Sequence, residues 1–292
     1  MGVLVVDVER GGTVEARHRV HAVAVVGGEI VASHGDSRFE TLFRSSAKPI
    51  QALPVVRARP DLDDAEIAIA CASHLARPEQ LAPVGSLLAK APAAEEELEC
   101  GAEPTPLQHN CSGKHAAMLA LCRARSWPSE GYRLSDHPCQ RAMLAEVAAA
   151  AEVDPGGIPT AADGCGVVTF GLPLERMAHA FSRLERLDGG DRVARAMRAH
   201  PDLIRGPRAA DTMLMQALPG WIAKGGAEGL LCAASPDGLG VALKVEDGAT
   251  RAIQSASAAF LARLGVVGGD RLETSVPLRN SRGDVVGEIV LE

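Results

Sequence analysis

Apolar and polar residues alternate at the start of the chain and then change period. Three runs, LVVDV, HAVAVV and GEIVAS, are separated by Gly-Gly and charged turns, a pattern that predicts an antiparallel meander of strands. From residue 45 apolar residues recur at three and four, which predicts helices near 45–58, 78–91, 113–126, 137–151, 173–187, 190–200, 208–217 and 250–264. Strands return late, at GLLCAAS, GVALKVED and DVVGEIVLE, with PDGL at 236–239 as a hairpin turn. The class is therefore α+β. If the first and last strands share one sheet, residues 1–292 form a single domain, a central antiparallel sheet covered by helices, with its two ends meeting.

Composition narrows the picture. The chain has 292 residues, 47% of them hydrophobic and only 3% aromatic, so its core must be packed from aliphatic side chains and close helix approaches. A formal charge of −7 without a basic stripe argues against nucleic acid as a partner. There is no basic, then apolar leader and no run of eighteen apolar residues, which points to a cytoplasmic protein with no membrane partner. Seven cysteines, an odd and scattered set, read as reduced thiols in a chain large enough to need no cross-links. Of the 30 basic residues only five are lysines: 48, 90, 114, 224 and 244. An amine can lose its proton and act as a base where a guanidinium cannot, so these five merit individual inspection.

RSSAKPIQ (44–51) is the first stretch with chemical potential. Pro49 has no N–H to give and is tolerated only within the first turn, so a helix starts near Ser45. Lys48 then lies one turn on, on the same face, able to reach Ser45 Oγ as its base. In the plainer reading Ser45 only caps the helix and Lys48 is solvated. Four other stretches carry comparable polar groups. CASH (71–74) ends an apolar run with Ser73 and His74. HNCSGKH (109–115) opens a helix with Asn110, Cys111, Lys114 and His115, and lacks the pattern of a phosphate-binding loop. DGCG (163–166) is a glycine turn presenting Asp163 and Cys165. WIAKGGAEG (221–229) sets Lys224 before two glycines ahead of a strand, much as a K-T-G element accompanies S-x-x-K in serine β-lactamases and penicillin-binding proteins. Lys244, in GVALKVEDG, is assigned to a strand surface.

RGGTVEARHRVHAVAV, RSSAKPIQALP, CASH, NCSGKHAAML, LSDHPCQ, DGCG and AKGGAEG, in that order, resemble the cysteine-containing L-asparaginase family typified by an inducible rhizobial enzyme. The resemblance spans about residues 8 to 248. It implies a fold similar to serine β-lactamases and penicillin-binding proteins, and a homodimer that hydrolyses L-asparagine to L-aspartate and ammonia. It also implies two Ser–Lys pairs, Ser45 with Lys48 and Ser73 with Lys224, and a zinc ion (Zn2+) bound by Cys111, Lys114 and Cys165. The residues alone leave that metal set open, since two buried thiols and a solvated amine would fit the same pattern. Asparagine carries an ammonium and a carboxylate, for which Asp163 and Arg44 are the candidates, with Asn110 and His115 as neutral hydrogen-bonding groups. Ser46, where some relatives have alanine, adds a second hydroxyl; the spacing to Lys48 favours Ser45. A serine hydrolase acting on another amide, or a silent protein binding zinc or an amino acid, are the alternatives.

Overall fold

A computed structural model describes residues 1–266 and 271–292. Its strands are β1 (Leu4–Arg10), β2 (Thr13–Val26), β3 (Glu29–His34), β4 (Glu40–Leu42), β5 (Thr160–Ala162), β6 (Val168–Pro173), β7 (Ile222–Gly226), β8 (Leu230–Ala234), β9 (Leu239–Val245), β10 (Ser275–Arg279) and β11 (Val285–Leu291). Its helices are α1 (Lys48–Gln51), α2 (Leu53–Ala58), α3 (Asp64–Ala70), α4 (Pro78–Lys90), α5 (Ser112–Ala124), α6 (Pro138–Ala151), α7 (Leu174–Arg183), α8 (Gly190–Ala199), α9 (Pro201–Ile204), α10 (Ala210–Ala217) and α11 (Ile253–Arg263). The α+β class is as expected from the sequence. The chain divides into two compact units, one of residues 1–41, 173–182 and 209–292, the other of residues 42–172 and 183–208.

The first unit is an antiparallel sheet in the order β10-β11-β1-β2-β9-β8-β7, with β3 also paired to β2. The meander β1-β2-β3 forms as the alternation predicts, and the first and last strands do share the sheet: Val6 lies opposite Leu291 and Arg10 opposite Gly287. The PDGL turn joins β8 to β9, with Gly238 at φ +88°. α7 comes so close to β9 that a Cβ on Gly240 would lie 2.1 Å from the Ala178 carbonyl oxygen, a distance only glycine permits. Two assignments change here. Lys224 and both following glycines sit inside β7 rather than ahead of a strand, because the backbone of Gly225 and Gly226 pairs with Leu231 and Leu230 of β8. Lys244 is buried, not on a strand surface; its ammonium lies 5.9 Å from the Phe39 ring, and it donates to the Val245 carbonyl.

The second unit is mostly helical. The helix expected over 45–58 is broken into a 3₁₀ turn (Arg44–Ala47), α1 and α2, since Pro49 and Pro54 each occupy the second position of a short helix, where no N–H is owed. α3, the apolar run that ends in CASH, is started by a capping box. The Asp63 carboxylate accepts from Glu66 N at 2.9 Å, and Glu66 accepts from Asp63 N at 2.8 Å. Inside the unit Glu66 is fully covered and also meets Lys90 at 2.7 Å and Ser86 at 2.5 Å. α5 packs on α3 at Gly113, where an added Cβ would stand 2.3 Å from the Ile69 carbonyl oxygen. β5 and β6 form a hairpin whose tip is the DGCG turn, closed by Gly166 N to Asp163 O at 2.8 Å. All seven cysteines are free and buried. No helix among the described residues is long and apolar enough to cross a membrane.

The close approach at Gly113 makes a stability prediction. Gly113→Ala must push α5 off a backbone carbonyl that cannot yield, which costs about 2–3 kcal/mol. Urea unfolding followed by circular dichroism measures the loss, and Gly85→Ala, where a Cβ meets nothing within 4 Å, serves as the control with no such penalty.

Candidate active site

The site is best built outward from Lys48. It opens α1, yet its side chain is only 1% exposed, so its amine must find partners inside the second unit. It donates to the Ala72 carbonyl, to Ser73 Oγ at 3.1 Å and to Cys111 Sγ at 3.3 Å. The solvated lysine of the plainer reading is thus excluded. The amine joins three segments: the start of α1, the chain leaving α3, and the residue preceding α5. Ser45 is not among its hydrogen-bond partners; the hydroxyl Lys48 holds is that of Ser73.

Burial separates the hydroxyls. Ser45 is half-buried and reachable, while Ser46 is wholly enclosed and Ser73 is 6% exposed. Arg44, immediately before Ser45, has φ +48°, a left-handed conformation uncommon for a residue with a Cβ. The surroundings hold it there. Its N–H donates to Thr169 Oγ1 at 3.0 Å and its guanidinium meets Asp163 at 2.7 Å. The two groups assigned to the substrate's charged ends are therefore ion-paired with each other. The Asp163 side chain is 9% exposed and that of Arg44 is 22% exposed.

Cys111, Lys114 and Cys165 converge. Lys114 Nζ donates to Cys165 Sγ at 3.1 Å, and the Cys165 thiol donates to Cys111. That hydrogen bond, opposed by burial and aided by Lys48 and Lys114, holds Cys111 well below the usual thiol range; the same bond and burial push Cys165 up. For Lys114, burial acts to lower the pKa, but Cys165, Cys111 and the Asp163 carboxylate outweigh it and leave it raised. Burial, the two lysines and the thiol–thiol hydrogen bond thus pull the two cysteines in opposite directions. No group of three His, Cys, Asp or Glu side chains among the described residues is placed to hold a metal. The candidate set differs from such groups in using a lysine, and its three donors already adjoin one another.

The other expected residues are scattered. Asn110 is exposed, and its carbonyl oxygen accepts from His74 N at 3.1 Å. His115 is enclosed in the core on α5, with Nδ1 2.7 Å from the Tyr132 hydroxyl. Lys224 belongs to the first unit, on β7. It has no exposed surface, donates to the Gly225 carbonyl, and lies 3.6 Å from the Asp211 carboxylate. Asp211 also accepts from the N–H groups of Gly225 at 2.8 Å and Thr212 at 3.0 Å. Sequence reasoning missed Asp211: a single aspartate in the first turn of a helix carries no local signal that it serves a buried lysine 13 residues on.

The family model described as L-asparaginase II matches residues 6–291 of the 292. The chain belongs to the L-asparaginase II family. A search of curated proteins finds no match for it. Membership points to an amidohydrolase acting on a small-molecule amide, and it bears out the resemblance drawn from the motifs. In this family member the motif-bearing segments RSSAK, CASH, NCSGK and DGCG all lie in the second unit, and the hydrogen bonds above link RSSAK to each of the other three and NCSGK to DGCG.

One histidine of the site gives a pH prediction. Burial, reinforced by the Lys48 ammonium, pushes His74 from 6.5 down to about 4. A folded-state pKa below the unfolded value means the unfolded chain binds the proton first, so stability falls as pH drops from 6.5 through 4. The full loss is about 3 kcal/mol for this group at 1.36 kcal/mol per unit. Urea unfolding at pH 7, 6, 5 and 4 should show a steeper decline for the unaltered protein than for His74→Gln; parallel declines would remove His74 as a source of acid lability.

Proposed function

We propose that this chain is an L-asparagine amidohydrolase that works through a Ser45 acyl-enzyme, with Lys48 as the base. The observation that supports it most is the buried Lys48 amine, held against Ser73 Oγ and three residues from the reachable hydroxyl of Ser45, in a chain of the L-asparaginase II family. Lys48 in its neutral form takes the Ser45 proton as Oγ attacks the side-chain amide carbon. The amide nitrogen then collects a proton and leaves as ammonia, and water cleaves the aspartyl ester. In this reading Ser73, bonded to Lys48, passes that proton on. Arg44 and Asp163 offer the carboxylate and ammonium of the substrate opposite charges that are already positioned.

The same reading keeps Lys224 as a second functional lysine, and takes the likeness to serine β-lactamases, with its Ser-x-x-Lys element and lysine-bearing strand, as the architectural counterpart of the mechanism. It includes a homodimer and a cytoplasmic location. Zinc belongs to it too. Two thiols and an amine that converge in one buried cluster suit the ion, and Cys111, Lys114 and Cys165 would hold it. When bound, zinc would supply a fixed positive charge beside Asp163, tuning substrate affinity more than the chemical step.

Three outcomes follow. Purified protein releases ammonia from L-asparagine in a coupled assay; turnover of a chromogenic β-lactam instead, or binding of asparagine without turnover, would overturn the reading. Ser45→Ala lowers kcat by at least about 10³-fold with the fold intact, whereas Ser46→Ala is mild, as the residual rates of enzymes stripped of their nucleophile suggest; the reverse order would reassign the nucleophile. Cys165→Ser lowers zinc content and raises KM more than it lowers kcat, and metal analysis with steady-state kinetics reads both. Zinc absent from the unaltered protein and KM unchanged in the variant would leave these cysteines as buried thiols.

A further inference from the structure

CASH contributes more than Ser73. His74, next in the chain, is 1% exposed and has both ring nitrogens engaged. Ala76 N donates to its Nδ1 at 3.1 Å, so Nδ1 is the acceptor and the ring hydrogen sits on Nε2. Nε2 lies 2.8 Å from Ser112 Oγ, the first residue of α5, and is the donor in that bond. The backbone runs parallel to it: His74 N donates to the Asn110 carbonyl at 3.1 Å. Ser73 N is tied as well, to the Ile204 carbonyl at 2.7 Å. The segment from Ser73 to Ala76 has no regular structure of its own, and Ala76 adopts φ +54°, so its shape depends on these bonds. Ser112, in turn, sits between Cys111 and Lys114 in sequence.

We infer that His74 is a neutral strut, a positioning residue that fixes Ser73 against the start of α5 through its Nε2–H bond to Ser112, and that it takes no proton in the reaction. The inference rests on the reading that Ser73 serves catalysis. A histidine beside a catalytic serine invites assignment as its base, but the geometry is wrong for that role. Both nitrogens are already used, and neither contact is to Ser73. What the strut supplies is register between the Ser73 hydroxyl, which Lys48 holds, and the residue before α5, Cys111, which Lys48 also holds. Without it the His74 N–H bond to the Asn110 carbonyl alone would hold the two segments together beside the amine, and a displacement near 1 Å can cost about 10²-fold in rate.

The test is a set of variants assayed on L-asparagine with thermal melts as the folding control. His74→Gln keeps an N–H donor at similar reach and should stay within about threefold of the unaltered kcat. His74→Leu should lower kcat about 10–100-fold, the usual range for lost supporting hydrogen bonds, with KM changed less than threefold. Ser112→Ala removes the same bond from the other side with one atom deleted, and should match His74→Leu even if the latter folds poorly. The double variant should be no worse than either single one. In addition, the ring nitrogens of His74 should show the neutral Nε2–H tautomer by ¹⁵N NMR from pH 6 to 9. Multiplicative effects in the double variant, Ser112→Ala at the unaltered kcat, or an Nδ1–H tautomer would each overturn the strut. Ser73→Ala at the unaltered kcat would instead overturn the role of Ser73, a separate failure; an inactive Ser73→Ala beside a fully active His74→Leu overturns the strut alone.

Discussion

A lysine amine cannot be buried without partners, and satisfying that of Lys48 organises the second unit. Leaving such a group unpaired would cost several kcal/mol, far more than a surface contact is worth. Its three acceptors, the Ala72 carbonyl, Ser73 Oγ and Cys111 Sγ, come from chain segments 24 to 63 residues away. Each must be delivered by a separate element. The capping box at Asp63 and Glu66 sets where α3 begins and so where Ala72 and Ser73 emerge. Gly113 lets α5 approach α3 closely enough to bring Cys111 within reach. The prolines at 49 and 54 keep the Ser45–Lys48 turn from merging into one long helix that would aim the lysine elsewhere.

The same economy of contacts explains why the site is electrostatically unusual. Lys48 and Lys114 adjoin a pair of thiols whose pKa values move apart, Cys111 downward and Cys165 upward. Asp163 adds a second negative group next to Lys114 while pairing with Arg44. Charges of both signs are thus held in a largely buried region, where each is worth more than in water. A zwitterionic amino acid is a chemically apt partner for such a region. His74 and His115, by contrast, are kept neutral by burial and contribute hydrogen-bonding geometry rather than charge.

Much of this was legible from the residues because the cues were local. Alternation marked β1, β2 and β3; glycines marked the turns; Ser45-x-x-Lys48 and the glycine turn at 163–166 could be read over a few residues, whereas the breaks at Pro49 and Pro54 within the helix expected over 45–58 were not. What was not legible depends on distant pairing. The strand β7 hid behind Lys-Gly-Gly because its backbone hydrogen bonds to β8, not its side chains, make it a strand. Lys244 looked like surface because alternation reports one face, while both faces of β9 are covered. The bond from His74 to Ser112 joins residues 38 apart, and the ion pair of Asp211 with Lys224 joins neighbours in space with no motif between them. Spacing also suggested that Lys48 would reach Ser45, but the lysine is drawn inward to Ser73 because its buried amine has more acceptors there.

Which hydroxyl carries the substrate's acyl group decides the mechanism. Rapid acid quench of enzyme mixed with L-asparagine, followed by peptide mapping by mass spectrometry, locates that ester directly. An aspartyl ester on Ser45, in the peptide containing Lys48, is the predicted result; an ester on Ser73 or Ser46, or turnover of asparagine with no ester trapped on any serine, would contradict it.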